Sequence, residues 1–405
     1  MKLLLPSDFP EVASFDALLQ AETDALWPCI APEDLPRPSF MTLGHATTAP
    51  GDDDMYAADP AYHITGWALL HLHNAMVHDV AVMTQTGDPV LVGPPWRYEP
   101  IVRPWFDVPR ETLSAAFERA LAGFAPRDPL VIDEPCTLHY QSAHGHWLFE
   151  GVQPLAVWDR IGFHPLLVHE PRMPAYRRDI LRLAGYDADR RRAVYRAGRD
   201  LLCRDLWLHV PYRTQASTRI PLRLGWSADG QRCYVPDDRT WWCGTGTSAM
   251  AYTRGLAERA RPELGRGEKI FVKREGSALH RVCVNESQAA AVAEKLGFVV
   301  ITPDELSGEE EMAIFRQARL ICGSSGGGIW NSVYTQPGAR LFCYGAEDDI
   351  FWPLQGVCAA GDLELTMMRA TQFTSFEPYF RSSISLYALD IDAFDAALGA
   401  FVKGR

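Results

Sequence analysis

From residue 269 onward the sequence alternates short β-forming runs with capped helical segments, and this rhythm constrains the fold more than any other feature. KIFVKR (269–274) predicts a strand. Asn285 is placed as a helix N-cap, with Gln288 three residues on to close a capping box. AAAVAEKL follows as helix, and Gly297 stops it. FVVITP predicts the next strand. Ser307 and Glu310 repeat the capping-box spacing ahead of EMAIFRQA, and RLICG predicts a third strand. IWNSVYTQ then predicts a helix, Pro337-Gly338 a turn, and ARLFCYG a fourth strand. Strands separated by single helices pair in parallel, with helices on both faces. The expectation is a doubly wound sheet.

The first half carries weaker signals. Residues 1–60 are rich in Pro, Asp and Ala and show little periodicity. ALLHLHNAMVHDVAVMTQTGDPVLVG (68–93) reads as antiparallel strands with a turn at TGD. PLVIDE (129–134), PLLVHE (165–170) and DLWLHVP (205–211) read as strands. HWLFEGVQPLAVWDRIG (146–162) has helical spacing that Pro154 must kink or split. AYRRDILRLAGY (175–186) is a helix stopped by Gly185, and 212–245 reads as linker and surface loop. The fold expected is α/β: two Rossmann-like domains, at 121–212 and 213–405, behind a β-rich extension at 1–120. The last helix is free to pack back on the first of these domains.

A formal net charge of -12 repels a phosphate backbone, so no nucleic-acid partner is expected. The nine cysteines are odd in number, scattered and without a CxxC, which gives little support to zinc or disulfides. No metal site is expected; Asp52-Asp53-Asp54 reads as solvated surface. MKLLLPSDFP has too short an apolar run for a signal peptide, so a cytoplasmic location is expected. Residues 172–213 hold eleven Arg against five Asp. They read as a solvated helix face, or as a peripheral contact with anionic lipid or a lipid-linked acceptor at the inner membrane.

ICGSSGGGIWN (321–331) is the densest run of small residues. It lacks both the GxGxxG spacing of a dinucleotide fingerprint and the GK(S/T) ending of a P-loop. It follows a strand's carboxyl end and precedes a helix, where open α/β sheets bind ligands. Its N–H groups can form an anion nest, and glycines let a ligand approach the backbone. A turn built for packing is the alternative.

Four pieces then occur in a fixed order: HGHWLFE (144–150), KREGSALHRVCVNE (273–286), GFVVITPDELSGEEEMAIFRQA (297–318) and RLICGSSGGGIWNSVYTQPG (319–338). Together they resemble glycosyltransferase family 61, which includes bacterial capsular polysaccharide biosynthesis proteins and eukaryotic sugar transferases. The resemblance implies a GT-B arrangement, with an acceptor-side domain facing a C-terminal domain that holds a nucleotide sugar. It also implies inversion at the anomeric carbon, usually without a metal, and no cofactor beyond the donor substrate, expected to be UDP-linked.

Carried over by position, Arg274, Arg281, Asn285 and Glu286 match the second motif and Glu310 the third. Gly326, Gly328 and Asn331, within the loop that also holds Ser324, Ser325 and Gly327, match the last. Three positions depart: the His of the family's HGAG is Ser325, the Gln of its EQ pair is Glu311, and the Asn ahead of HW is Ala143.

Arg supplies rigid paired donors for a diphosphate, so Arg274 and Arg281 suit that role. Asn285, Glu286 and Glu310 read equally as helix-terminus residues or as ribose contacts. His146 and Glu150, at i and i+4, share a helix face; Glu150 is expected as the base for the acceptor hydroxyl, with His146 as orienter or alternative base. Trp147 reads as core. The function expected is transfer of a hexose or pentose to a surface or capsular polysaccharide or another glycan. The alternative is a GT-B-fold protein that lost activity with the HGAG His and binds a glycan or a partner subunit.

Overall fold

The computed structural model describes residues 3–4, 6–31, 33–36, 40–43, 61–64, 66–78, 81–90, 92, 110–122, 128–139, 144–169, 173–186, 192–194, 200–212, 222–226, 232–236, 246–274, 281–346, 352–375 and 385–404. Two large sheets, both flanked by helices, make it a mixed α/β structure.

The second sheet is the doubly wound one. Its parallel strands lie in the order Val299–Ile301, Lys269–Val272, Leu320–Ser324, Arg340–Ala346, Glu364–Ser375. In chain order the first two are exchanged, so the winding reverses between Lys269–Val272 and Leu320–Ser324. Ser385–Ala388 adds an antiparallel strand, and Val282–Cys283 lies parallel beyond it. The burial pattern of Arg340–Ala346, with six consecutive buried residues, is that of a strand covered on both faces.

The first sheet joins regions that the sequence separates. Arg192–Val194, Leu166–His169 and Cys136–Leu138 are parallel neighbours, and Cys136–Leu138 adjoins Leu201–Tyr212. That long strand then pairs antiparallel along Gly66–His78, from Leu201↔Val77 to Tyr212↔Gly66. Ala25–Ile30 pairs with Gly66–His78 in turn, so one sheet runs across residue 120. The antiparallel run and its TGD turn form as expected, with Gly87 at φ 84 closing the turn.

Several local expectations are corrected. Phe40–Leu43, in the stretch without periodicity, is a parallel strand on Glu364–Ser375 of the second sheet. The 212–245 stretch contains an antiparallel hairpin, Leu222–Trp226 with Arg232–Pro236. IWNSVYTQ folds as the 3-10 helix Gly327–Tyr334. Pro154 does split its segment, into a π-helical turn at Leu148–Val152 and the α-helix Leu155–Ile161. The last helix, Ile391–Val402, packs on the second sheet rather than the first, because Phe394 and Phe401 meet Phe342 edge-on.

One hydrophobic core joins the two halves. Trp147, Phe149, Trp158 and Ile180 of the first lie in the same cluster as Ile314, Ile321, Trp330 and Leu341 of the second. At this seam the helix Gly308–Gln317 starts against the helix Ala175–Leu183. A Cβ on Gly308 would run into the carbonyl of Tyr176 and come 2.8 Å from Ile180 Cγ1. A backbone carbonyl cannot swing aside. Gly308→Ala is therefore expected to lower stability by about 1–3 kcal/mol, read as a reduced midpoint in urea unfolding.

Candidate active site

Open α/β sheets bind ligands outside the carboxyl ends of their strands, where the winding reverses. Here that point lies between Lys269–Val272, which leads to Arg274, and Leu320–Ser324, which leads to the Ser/Gly loop. The sequence order alone brings an arginine and a glycine-rich turn to one crevice.

The loop is anchored at its start and open at its middle. Ser324 Oγ meets Tyr387 Oη at 2.6 Å, and Ser325 N donates to the Tyr344 carbonyl at 2.7 Å. Arg274 Nη1 donates to the Ser325 carbonyl at 2.9 Å. Gly326, at φ 149 and ψ -173, occupies a region essentially closed to other residues. The N–H groups of Gly326, Gly327 and Gly328 meet no acceptor among the described residues, as the start of a helix leaves them.

The glycines serve packing as well as approach. A Cβ on Gly326 would sit 2.6 Å from Arg274 Nη1, one on Gly327 3.4 Å from His144 Cβ, and one on Gly328 2.9 Å from Val272 Cγ1. Protein groups thus occupy the space that the sequence reading reserves for a ligand at each Cβ. What remains for an anion is the N–H face.

The structure brings Arg274, Glu286, Ser324 to Gly328 and Asn331 together. Glu286 Oε2 accepts from the Arg274 main chain at 3.0 Å and Oε1 from Tyr344 Oη at 3.0 Å. Burial pushes its pKa up, against the pull of these two donors. Glu286 thereby fixes the backbone from which Arg274 projects. Asn285 does not form the expected capping box; its Nδ2 donates to the Leu389 carbonyl at 2.8 Å and its Oδ1 accepts from Leu389 N at 3.0 Å. Arg281 stands at φ 57 just before the edge strand.

Glu310 closes its capping box as expected. Its Oε2 accepts from Ser307 N at 2.9 Å and Ser307 Oγ at 2.8 Å, and its Oε1 faces Arg266 at 3.4 Å. These bonds to Ser307 hold its carboxyl below the usual range. The backbone of His146 lies in the α-turn His144–Trp147 and that of Glu150 in the π-turn after it, but their side chains lie outside the described residues. Asp52, Asp53 and Asp54 lie outside them altogether. Trp147 is fully buried, as expected of core.

The histidine that crosses the seam is His144. Its Nε2 meets Asn331 Oδ1 at 2.8 Å and its Nδ1 meets Tyr176 Oη at 3.2 Å, while Arg177 Nε donates to Tyr176 Oη at 2.9 Å. An amide oxygen only accepts, so Nε2 carries the hydrogen. Nδ1 then accepts from the tyrosine hydroxyl, and the chain of donors runs from Arg177 to Asn331. Burial pushes the His144 pKa down to about 4, partly offset by its bond to Asn331. Gly145 completes the contact, with space for a Cβ only 3.4 Å from the Trp330 indole.

Glu311 lies behind Asn331 and is 3% exposed. Burial first, and the nearby Asp304 second, push its pKa well up, against the Asn331 amide and Arg177. A protonated Glu has the shape and neutrality of the Gln that the family pattern places there. Arg177, counted among the surface arginines of 172–213, is buried instead, its guanidinium 5.0 Å from the Trp147 ring centre. One signal could have found His144: it shares a helical face with Trp147, Leu148 and Gly151.

Residues 144–342 match the family model described as Glycosyltransferase 61. The chain is also similar to the solved structure of the bacterial iron-containing dodecameric glycosyltransferase TibC from enterotoxigenic E. coli H10407, at 15% identity over 70% of this chain and 79% of that one. The TM-score is 0.29. None of the curated proteins matches. Among the described residues no helix is long and apolar enough to cross a membrane.

His144 is neutral when folded, whereas an unfolded chain binds its proton near the ordinary value of 6.5. Its depressed pKa therefore removes stability as pH falls from 6.5 toward 4, on the order of 1–3 kcal/mol. His144→Gln is expected to flatten that loss in acid unfolding curves. Imidazole nitrogen NMR shifts should show the Nε2–H tautomer down to about pH 5.

Proposed function

Because residues 144–342 belong to glycosyltransferase family 61, we propose that this chain moves a sugar from a nucleotide sugar, UDP-linked, to a hydroxyl of a surface polysaccharide or other glycan. The observation that carries this reading is the pairing of Arg274 with the open N–H face of Gly326 to Gly328 at the reversal of the sheet. A diphosphate is negative when bound and gains charge as it leaves, and fixed donors stabilise that charge.

In the proposed step the acceptor oxygen attacks the anomeric carbon as the bond from that carbon to the diphosphate oxygen breaks. The electron pair leaves with the nucleoside diphosphate, held by Arg274, Arg281 and the loop N–H groups. Glu150, or His146 in its place, takes the hydroxyl proton, and one displacement inverts the carbon. Ser325 offers its hydroxyl where the family has His; its main chain is engaged by Tyr344 and Arg274. Glu286 supports this site by holding the Arg274 main chain, while Asn285 bonds Leu389 and Glu310 caps its own helix at Ser307. The Arg-rich segment keeps its proposed contact with a lipid-linked acceptor through exposed residues such as Arg178 and Arg182.

The glycine packing favours a second reading, a glycan- or partner-binding protein whose loop is a structural turn. A transfer assay separates the two. The protein is incubated in EDTA with UDP-hexoses and UDP-pentoses and a panel of oligosaccharides, and glycosylated product is measured by mass spectrometry. Arg274→Ala and Glu150→Gln are each expected to reduce the rate by about 10²-fold or more. Full activity of both variants, or activity abolished by EDTA, contradicts the proposal.

A further inference from the structure

Glu311 is a buried acid with little to support its charge. Its Oε2 is shielded from solvent and meets no hydrogen-bond partner of full geometry, and Asn331 Nδ2, whose amide acts on the carboxyl, is likewise without one. The groups facing it come from each element packed on its helix. Ala175–Leu183 supplies Arg177 and Tyr176; the turn Pro303–Glu305 supplies Asp304; Gly327–Tyr334 supplies Asn331 and Tyr334. Thr247–Glu258 contributes Tyr252, which acts on Tyr334. Near Pro262–Leu264 the cation is Arg261, and it is committed to Glu309, 3.0 Å away.

Arg177 is thus the cation that Glu311 senses most, and it is already engaged. Its Nε donates to Tyr176 and its guanidinium lies over Trp147. An ionised Glu311 would stand beside Asp304 with an unsatisfied oxygen, which is costly in a buried site. It would draw Arg177 or the Asn331 amide toward itself. Either move disturbs the chain from Arg177 through Tyr176 and His144 to Asn331, and Asn331 belongs to the helix that carries the loop.

We propose that Glu311 is a proton-carrying positioning residue: as a neutral acid it leaves the bond between Asn331 and His144 across the seam undisturbed, and loss of its proton to solvent loosens the seam and the Ser/Gly loop. This depends on the seam alone and not on the transfer reaction. The sign follows from linkage. The folded protein keeps a proton that the unfolded chain gives up near 4.5, so stability is greatest below that value and is lost as pH rises through the raised folded pKa. Glutamine keeps the shape and cannot ionise.

The test compares the full chain with Glu311→Gln by thermal unfolding from about pH 5 to about pH 9. The two Tm values should nearly coincide at the acid end, with the variant ahead by roughly 2–4 °C or more at the alkaline end. Hydrogen exchange of peptides covering 325–335, corrected for intrinsic rate, should speed up several-fold with pH in the wild type and stay flat in the variant. Parallel Tm profiles overturn the proposal, because Glu311 would then not titrate. A variant less stable at every pH, or one that does not fold, overturns it too, because the carboxylate itself would then be what the seam requires. No nucleotide is present in either experiment, so failure of the transferase reading does not affect the outcome.

Discussion

The site depends on a stretch of backbone with no room for a side chain at Gly326 or Gly328. At Gly326 the chain turns through a conformation reserved for glycine, while Arg274 closes on Gly326 and Val272 on Gly328, and His144 lies in contact distance of Gly327. Val272 and Arg274 come from the end of one strand of the parallel sheet, and His144 comes from across the seam. A single loop therefore ties the winding of the second sheet to the packing of the first. The N–H groups of Gly326 to Gly328 meet no acceptor among the described residues.

The seam has an unusual electrostatic character. His144, Tyr176, Arg177, Asn331 and Glu311 meet where two sheets share one hydrophobic core, and burial drives the histidine and the glutamate toward their neutral forms. A neutral imidazole must donate from one nitrogen and accept at the other, so the seam has a direction that fixes hydroxyl and amide orientation alike. Polar networks of this kind specify one arrangement when every member is satisfied. Here the orphan atoms of Glu311 and Asn331 mark where the arrangement is weakest.

What the sequence reveals follows the range of the interactions. The box between Ser307 and Glu310 was legible because its bonds span three residues. Asn285 carried the same local signal and was misread, since Leu389, distant in the chain, takes both ends of its amide. The parallel alternation was legible from helix length and caps, whereas Phe40–Leu43 is too short to announce a partner more than three hundred residues away. The strand-end positions of Ser324 to Gly328 and of Arg274 were legible, and the winding order sets both at the reversal of the sheet. His144 was legible only through the helical face it shares with Trp147 and Leu148, which pack into the common core.

The central claim is that the loop's N–H face, with Arg274, is an anion site for a nucleoside diphosphate. Calorimetric titration of the wild type and Gly326→Ala with UDP in EDTA addresses it directly. The added Cβ displaces the Arg274 guanidinium and strains a backbone that only glycine adopts. Saturable binding by the wild type, weakened about tenfold or more in the variant, is the predicted result. The account is contradicted if the wild type binds none of UDP, GDP and CMP, or if the variant binds as tightly as the wild type.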